Sequence, residues 1–165
     1  MSILQDKYMQ INLIRSFIEQ VGIPVTEGKV IDGSFLPGIE IANGGLIYDP
    51  EKLTYPGDML HEAGHIAVMP NSVRHKATGN LKEQNISTDG EEIAAILWSY
   101  AACLHIGLPP EAVFHPEGYK GESEWLLKQF SEGIYIGLPL LQWMGLCAPD
   151  GTEPGYPAML KWLRN

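Results

Sequence analysis

The sequence predicts an α+β fold, mainly helical, with a small β-hairpin or sheet packed on a central helix. Long runs with apolar residues at helical spacing point to the helices. A short alternating stretch broken by an Asn-Gly-Gly turn points to the sheet. Between them lies a compact apolar segment bounded by Pro-Gly on one side and Pro on the other, the mark of a short buried helix.

In chain order, Tyr8, Ile11, Leu13, Ile14, Phe17, Ile18 and Val21 recur with helical spacing from Asp6 to Val21, and Gly22 followed by Pro24 supplies the stop. From Val25 to Asp49 the pattern changes to β-branched residues punctuated by Gly and Pro. Ile39-Glu40-Ile41 alternates, Asn43-Gly44-Gly45 turns the chain and Leu46-Ile47-Tyr48 resumes, which is a hairpin signature. A helix begins at Pro56-Gly57-Asp58, with Asp58 either its N-cap or a first-turn carboxylate favoured by the helix dipole. It runs from Met59 to Val68 and stops before Pro70. Asn71 to Asp89 is polar and aperiodic and reads as a long loop. Thr88 or Asp89 caps the next helix, Gly90 to His105, which Gly107-Leu108-Pro109-Pro110 ends. Ser123 to Ser131 and Tyr156 to Arg164 read as further helices, and Pro139 to Gly145 as a short one. Trp98, Trp125, Trp143 and Trp162 fall in these helical stretches and are expected in the core.

The chain of 165 residues is read as one domain, 1–165, with no internal repeat or linker. Eleven Lys and Arg against 20 Asp and Glu give a formal charge of −9. That balance argues against nucleic acid and against an anionic membrane surface, both of which are bound through clustered basic residues. Cys103 and Cys147 sit in apolar surroundings and read as buried thiols, not as a disulfide framework. The first residues lack the basic and apolar regions of a secretory signal, so the expected compartment is the cytoplasm. The uncharged stretches Ile93–Pro110 and Ile134–Pro149 are broken by Gly and Pro and read as buried helices, not membrane spans.

One motif carries nearly all the functional information: His61-Glu62-Ala63-Gly64-His65, an H-E-x-x-H. On a helix, residues four apart lie on one face, so both imidazoles can reach a single Zn²⁺. Glu62 is rotated about 100° from His61. There its carboxylate can act as general base on a water at the metal's open position. Ala63 and Gly64 are small enough to let another helix approach closely behind the metal. The plainer alternative is a pair of satisfied histidines on an amphipathic helix.

Two ligands are too few for tight zinc binding. Val68 and Asn71 stand where an extended H-E-x-x-H-x-x-G-x-x-H motif would place Gly and His. A carboxylate from a second helix can complete the set instead, and Glu91 and Glu92 at the start of the next helix are the candidates.

In these features the chain resembles the zincin metallopeptidases of the gluzincin type, over about 46–99. The resemblance implies a minimal zincin-like core, a Zn²⁺ cofactor, hydrolysis of a peptide or protein substrate, and a Glu on the downstream helix as third ligand. In several such families that Glu is followed by a small residue three positions on, an aromatic at the sixth and a small residue at the seventh. Glu92 fits that register through Ala95, Trp98 and Ser99, whereas Glu91 fits only through Ala94. Ile96 stands where those families carry an Asp that supports a ligand His. Zincins also often use an edge strand before the active helix to bind substrate, so Gly45–Tyr48 is either that strand or an ordinary core strand. Tyr100, His115, Tyr119 and His75 are the candidates for stabilising an oxyanion, a role zincins often give to Tyr or His. A metal-binding regulatory or interaction module without peptidase activity is the alternative reading.

Overall fold

The computed structural model describes residues 6–34, 36–79 and 89–165. It is α+β, with six helices and one three-stranded sheet among the described residues. Helix α1 (Lys7–Val21) starts where Asp6 accepts the Met9 N–H at 2.9 Å and ends at Gly22, whose φ of 107° lets its N–H turn back onto the Glu19 and Ile18 carbonyls. It buries Ile11, Ile14, Phe17 and Ile18 against the sheet and the central helix.

Strands β2 (Ile39–Ala42) and β3 (Gly45–Tyr48) form the expected antiparallel hairpin. Asn43 and Gly44 both take positive φ at its turn, which matches the twist of the two strands. Strand β1 (Val25–Glu27) pairs in parallel with the other side of β3, so the order is β1-β3-β2. This corrects the substrate-strand expectation: Gly45–Tyr48 is the central strand, and its backbone groups are committed to both neighbours.

Helix α2 (Asp58–Ala67) carries the H-E-x-x-H motif, and all of its ten residues except His61 and His65 are buried. Its start is set by Gly57, where an added Cβ would lie 2.0 Å from the Ala112 carbonyl oxygen. Asp58 is a first-turn residue and not the cap. Across α2 lies α4 (Asp89–His105), in close contact at Gly64: a Cβ there would meet the Ala95 carbonyl oxygen at 2.9 Å and the Trp98 ring at 3.3 Å.

The loop reading of Asn71–Asp89 is corrected at its start by a one-turn helix, α3 (Asn71–Arg74). Arg74 folds back there to donate to the Ile66 and Met69 carbonyls at the end of α2, at 3.2 and 3.1 Å. Residues 80–88, with the proposed Thr88 cap, lie outside the described residues, and Asp89 is already helical. Helices α5 (Ser123–Ser131) and α6 (Leu138–Trp143) fall where their spacing predicts.

Tyr156–Arg164 is not a helix. Its spacing reports only partial burial, with Leu160 exposed, and partners across the fold satisfy its backbone. The Leu160 N–H donates to Leu146 at 2.8 Å, the Arg164 N–H to Ala67 at 3.0 Å, and the Trp162 carbonyl accepts the Trp98 indole N–H at 2.9 Å. Trp98 is buried and Trp162 half-buried against Phe17, but Trp125 and Trp143 are 49% and 73% exposed, contrary to the core expectation. The Arg164 guanidinium lies over the Trp143 ring at 4.9 Å, which covers one face of the indole. Nothing in the structure explains the exposure of Trp125. Cys103 and Cys147 are free and buried. No helix among the described residues is long and apolar enough to cross a membrane.

The contact at Gly64 yields a stability test. Ala favours helix over Gly by about 1 kcal/mol, but the clash with the Ala95 backbone cannot relax by a side-chain rotation. Gly64→Ala is expected to destabilise the protein by roughly 1–3 kcal/mol in urea denaturation, the usual cost of overpacking. Unchanged or increased stability would contradict the packing described.

Candidate metal centre

His61 and His65 lie one turn apart on α2, and they are the residues through which that helix opens to its surroundings. The close approach at Gly64 brings the first turns of α4 to the same place. His61 Nε2 and His65 Nε2 are 3.2 Å apart, and Glu92 sets Oε2 2.8 Å from His65 Nε2 and Oε1 3.5 Å from His61 Nε2. Ligands about 2.0–2.2 Å from a tetrahedral Zn²⁺ sit roughly 3.3–3.5 Å from one another. The three side chains bring donor atoms 2.8–3.5 Å apart, close to that spacing, and two imidazoles with one carboxylate suit zinc chemically. Among the described residues no other group of His, Cys, Asp or Glu converges in this way. Glu91, the rival carboxylate, has its Oε1 4.0 Å from an Arg164 guanidinium nitrogen.

Burial and the neighbouring charges shift the proton affinities of the cluster in opposite directions. Burial, helped by the neighbouring His65 and opposed by Glu92, pushes the His61 pKa down to about 3, so its imidazole is neutral at ordinary pH. Burial also disfavours charge on His65. There the hydrogen bond His65 donates to Glu92, together with the Glu62 carboxylate, outweighs it, and the pKa moves up. Glu62 places Oε1 4.0 Å from His61 Nε2, beside the cluster but outside ligand spacing. Burial, reinforced by Glu92 and Asp58 against the opposing pull of His65, raises its pKa to about 7. A carboxyl poised there is suited to accept and return a proton near neutral pH.

Two features behind the motif escape a reading by spacing. Asp58, one turn before Glu62 on the same helix, pairs with His115 Nε2 at 2.7 Å, and both side chains are buried. The Tyr55 ring stacks on that imidazole at 3.7 Å between centroids. Tyr119 sets its hydroxyl 3.0 Å from His61 Nδ1, with its ring against Phe114, and burial raises its pKa. The hint for both lay in a polar, aromatic loop rich in Gly and Pro, but no periodicity ties that loop to α2.

The four oxyanion candidates fall in different places. His115 is engaged by Asp58 and Tyr119 by His61. Tyr100 packs among Phe114, Phe130 and Tyr135, and His75 is exposed. Consistent with Ile96 replacing a supporting carboxylate, His65 Nδ1 is buried with no hydrogen-bond partner among the described residues.

A scan against protein-family models finds no match, and neither the curated proteins nor the solved structures yield a significant similarity.

The Glu62 environment predicts a pH-dependent stability. A carboxyl whose pKa rises from 4.5 to about 7 on folding adds stability that is fully present below 4.5 and lost as the pH climbs through 7. In metal-free protein, Glu62→Gln should therefore gain stability over wild type between those limits, by up to about 3 kcal/mol, and level off above. Urea denaturation of both proteins at pH 4.5 and pH 8 measures the difference. An unchanged difference at the two pH values would contradict the burial of this carboxyl.

Proposed function

We propose that the chain is a zinc-dependent hydrolase that cleaves peptide bonds in a peptide or protein substrate. The observation that carries this reading is the convergence of His61, His65 and Glu92 at tetrahedral spacing with Glu62 beside them. His61 and His65 would bind the metal through Nε2 and Glu92 through a carboxylate oxygen. When bound, the cation supplies a Lewis acid and brings the pKa of water at its open position to about 7. Glu62 would orient a water there and take its proton on a carboxylate oxygen, and the same carboxyl would return it to the departing amine. Asp58, held by His115, adds negative charge one turn away and so supports the elevated proton affinity of Glu62.

A second reading, a metal-binding regulatory or interaction module, is favoured by two observations. The strand anticipated as a substrate edge is central in the sheet, and both loop candidates for an oxyanion donor are already engaged.

Metal analysis and peptide cleavage separate the two. Wild type should retain one zinc per chain after gel filtration, and His61→Ala and Glu92→Ala should lose it, whereas Glu91→Gln should keep it. Glu62→Gln should keep the zinc and lose about 10²–10⁴ in cleavage rate against a peptide library. Zinc retained in Glu92→Ala would overturn the ligand assignment. Zinc bound with no cleavage by wild type would favour the module.

A further inference from the structure

A metal-binding imidazole works only if its proton sits on the nitrogen away from the metal, and the group that accepts that proton decides the tautomer. Position 96 offers an isoleucine for this purpose, and His65 Nδ1 has no partner among the described residues. His61 is different. Its Nδ1 meets the Tyr119 hydroxyl, delivered by a loop far downstream in the sequence.

The direction of that hydrogen bond follows from its surroundings. His65 Nε2 lies 2.8 Å from a Glu92 carboxylate oxygen, so it donates its proton there. The same nitrogen faces His61 Nε2 at 3.2 Å, and two N–H groups cannot point at each other at that distance. Metal binding through His61 Nε2 needs that nitrogen bare, which puts the proton on Nδ1 facing the Tyr119 hydroxyl, where the phenol oxygen accepts it.

The loop carries strain at this point. Tyr119 and Lys120 take φ of 52° and 55°, consecutive non-glycine residues in the left-handed region. Such backbone costs about 1–2 kcal/mol per residue and persists where surrounding contacts over-determine it. Those contacts are the stack of Tyr119 on Phe114 and the hydroxyl on His61.

We infer that Tyr119 is the positioning residue of the metal centre: it holds the His61 proton on Nδ1 and aims the Nε2 lone pair at the metal. The inference rests on the proposed metal site for its purpose but not for its test, because the tautomer exists in metal-free protein. Tyr119→Phe keeps the stacked ring and removes the acceptor.

Long-range proton–nitrogen NMR on metal-free protein reads the tautomer, and zinc titration against a competing chelator reads the consequence. Wild-type His61 should show a protonated Nδ1. Tyr119→Phe should show a loss of Nδ1 protonation toward a tautomer mixture, with a wild-type circular dichroism spectrum. Its zinc affinity should fall roughly 10–100-fold, the usual effect of removing a group that supports a ligand. A purely structural Tyr119 would lower stability without moving the tautomer, and that result would overturn the inference. So would a wild-type His61 protonated on Nε2. If wild type binds no zinc, an Nδ1 proton lost in Tyr119→Phe still supports the positioning role while the metal reading fails.

Discussion

The approach of α2 and α4 at Gly64 is the constraint on which the site depends. A helix pair separated by ordinary side chains keeps its axes about 8–10 Å apart. Here a missing Cβ lets the Ala95 backbone and the Trp98 ring close onto α2, with room for nothing larger. One turn along from that contact, Glu92 reaches both histidines with a single short side chain. The indole of Trp98 is then held by the Trp162 carbonyl, which ties the C-terminal segment to the same junction. The stability of the packing and the geometry of the donors are one problem with one solution.

The same packing creates an electrostatic tension. His61, Glu62 and His65 are crowded with Glu92 and Asp58 in a region that excludes much of the water. Buried charge is tolerated when it is paired or coordinates a metal. Asp58 has His115, and His65 has Glu92, but Glu62 has only partial compensation and its proton affinity rises accordingly. A dication among these groups would relieve the repulsion between the carboxylates and draw the proton from Glu62. The proposed activity thus uses a strain that the metal-free fold already carries.

Legibility from sequence tracked the range of the interactions involved. Local rules located α1 with its Asp6 and Gly22 boundaries, the hairpin with its Asn43-Gly44 turn, and the helix α2 that carries the motif. The motif spacing placed His61, Glu62 and His65 on one helix. The register of the resembled families favoured Glu92 over Glu91, and Glu92 is the one that reaches the histidines while the Glu91 carboxylate lies near Arg164. Tertiary partners defeated the same rules elsewhere. Tyr156–Arg164 has helical spacing but finds its hydrogen bonds across the fold, and Gly45–Tyr48 becomes central because β1 pairs with it from a distance in sequence. The Asp58–His115 pair and the Tyr119 contact join groups 57 and 58 residues apart, which no periodicity encodes.

The central claim is that one cation sits between α2 and α4 on two imidazoles and a carboxylate. X-ray absorption at the zinc edge on protein reconstituted with a single equivalent of zinc tests it most directly. The account predicts a four-coordinate shell of nitrogen and oxygen at about 2.0–2.1 Å, with outer-shell scattering from two imidazoles. A sulfur shell at about 2.3 Å, or scattering from a single imidazole, would contradict it.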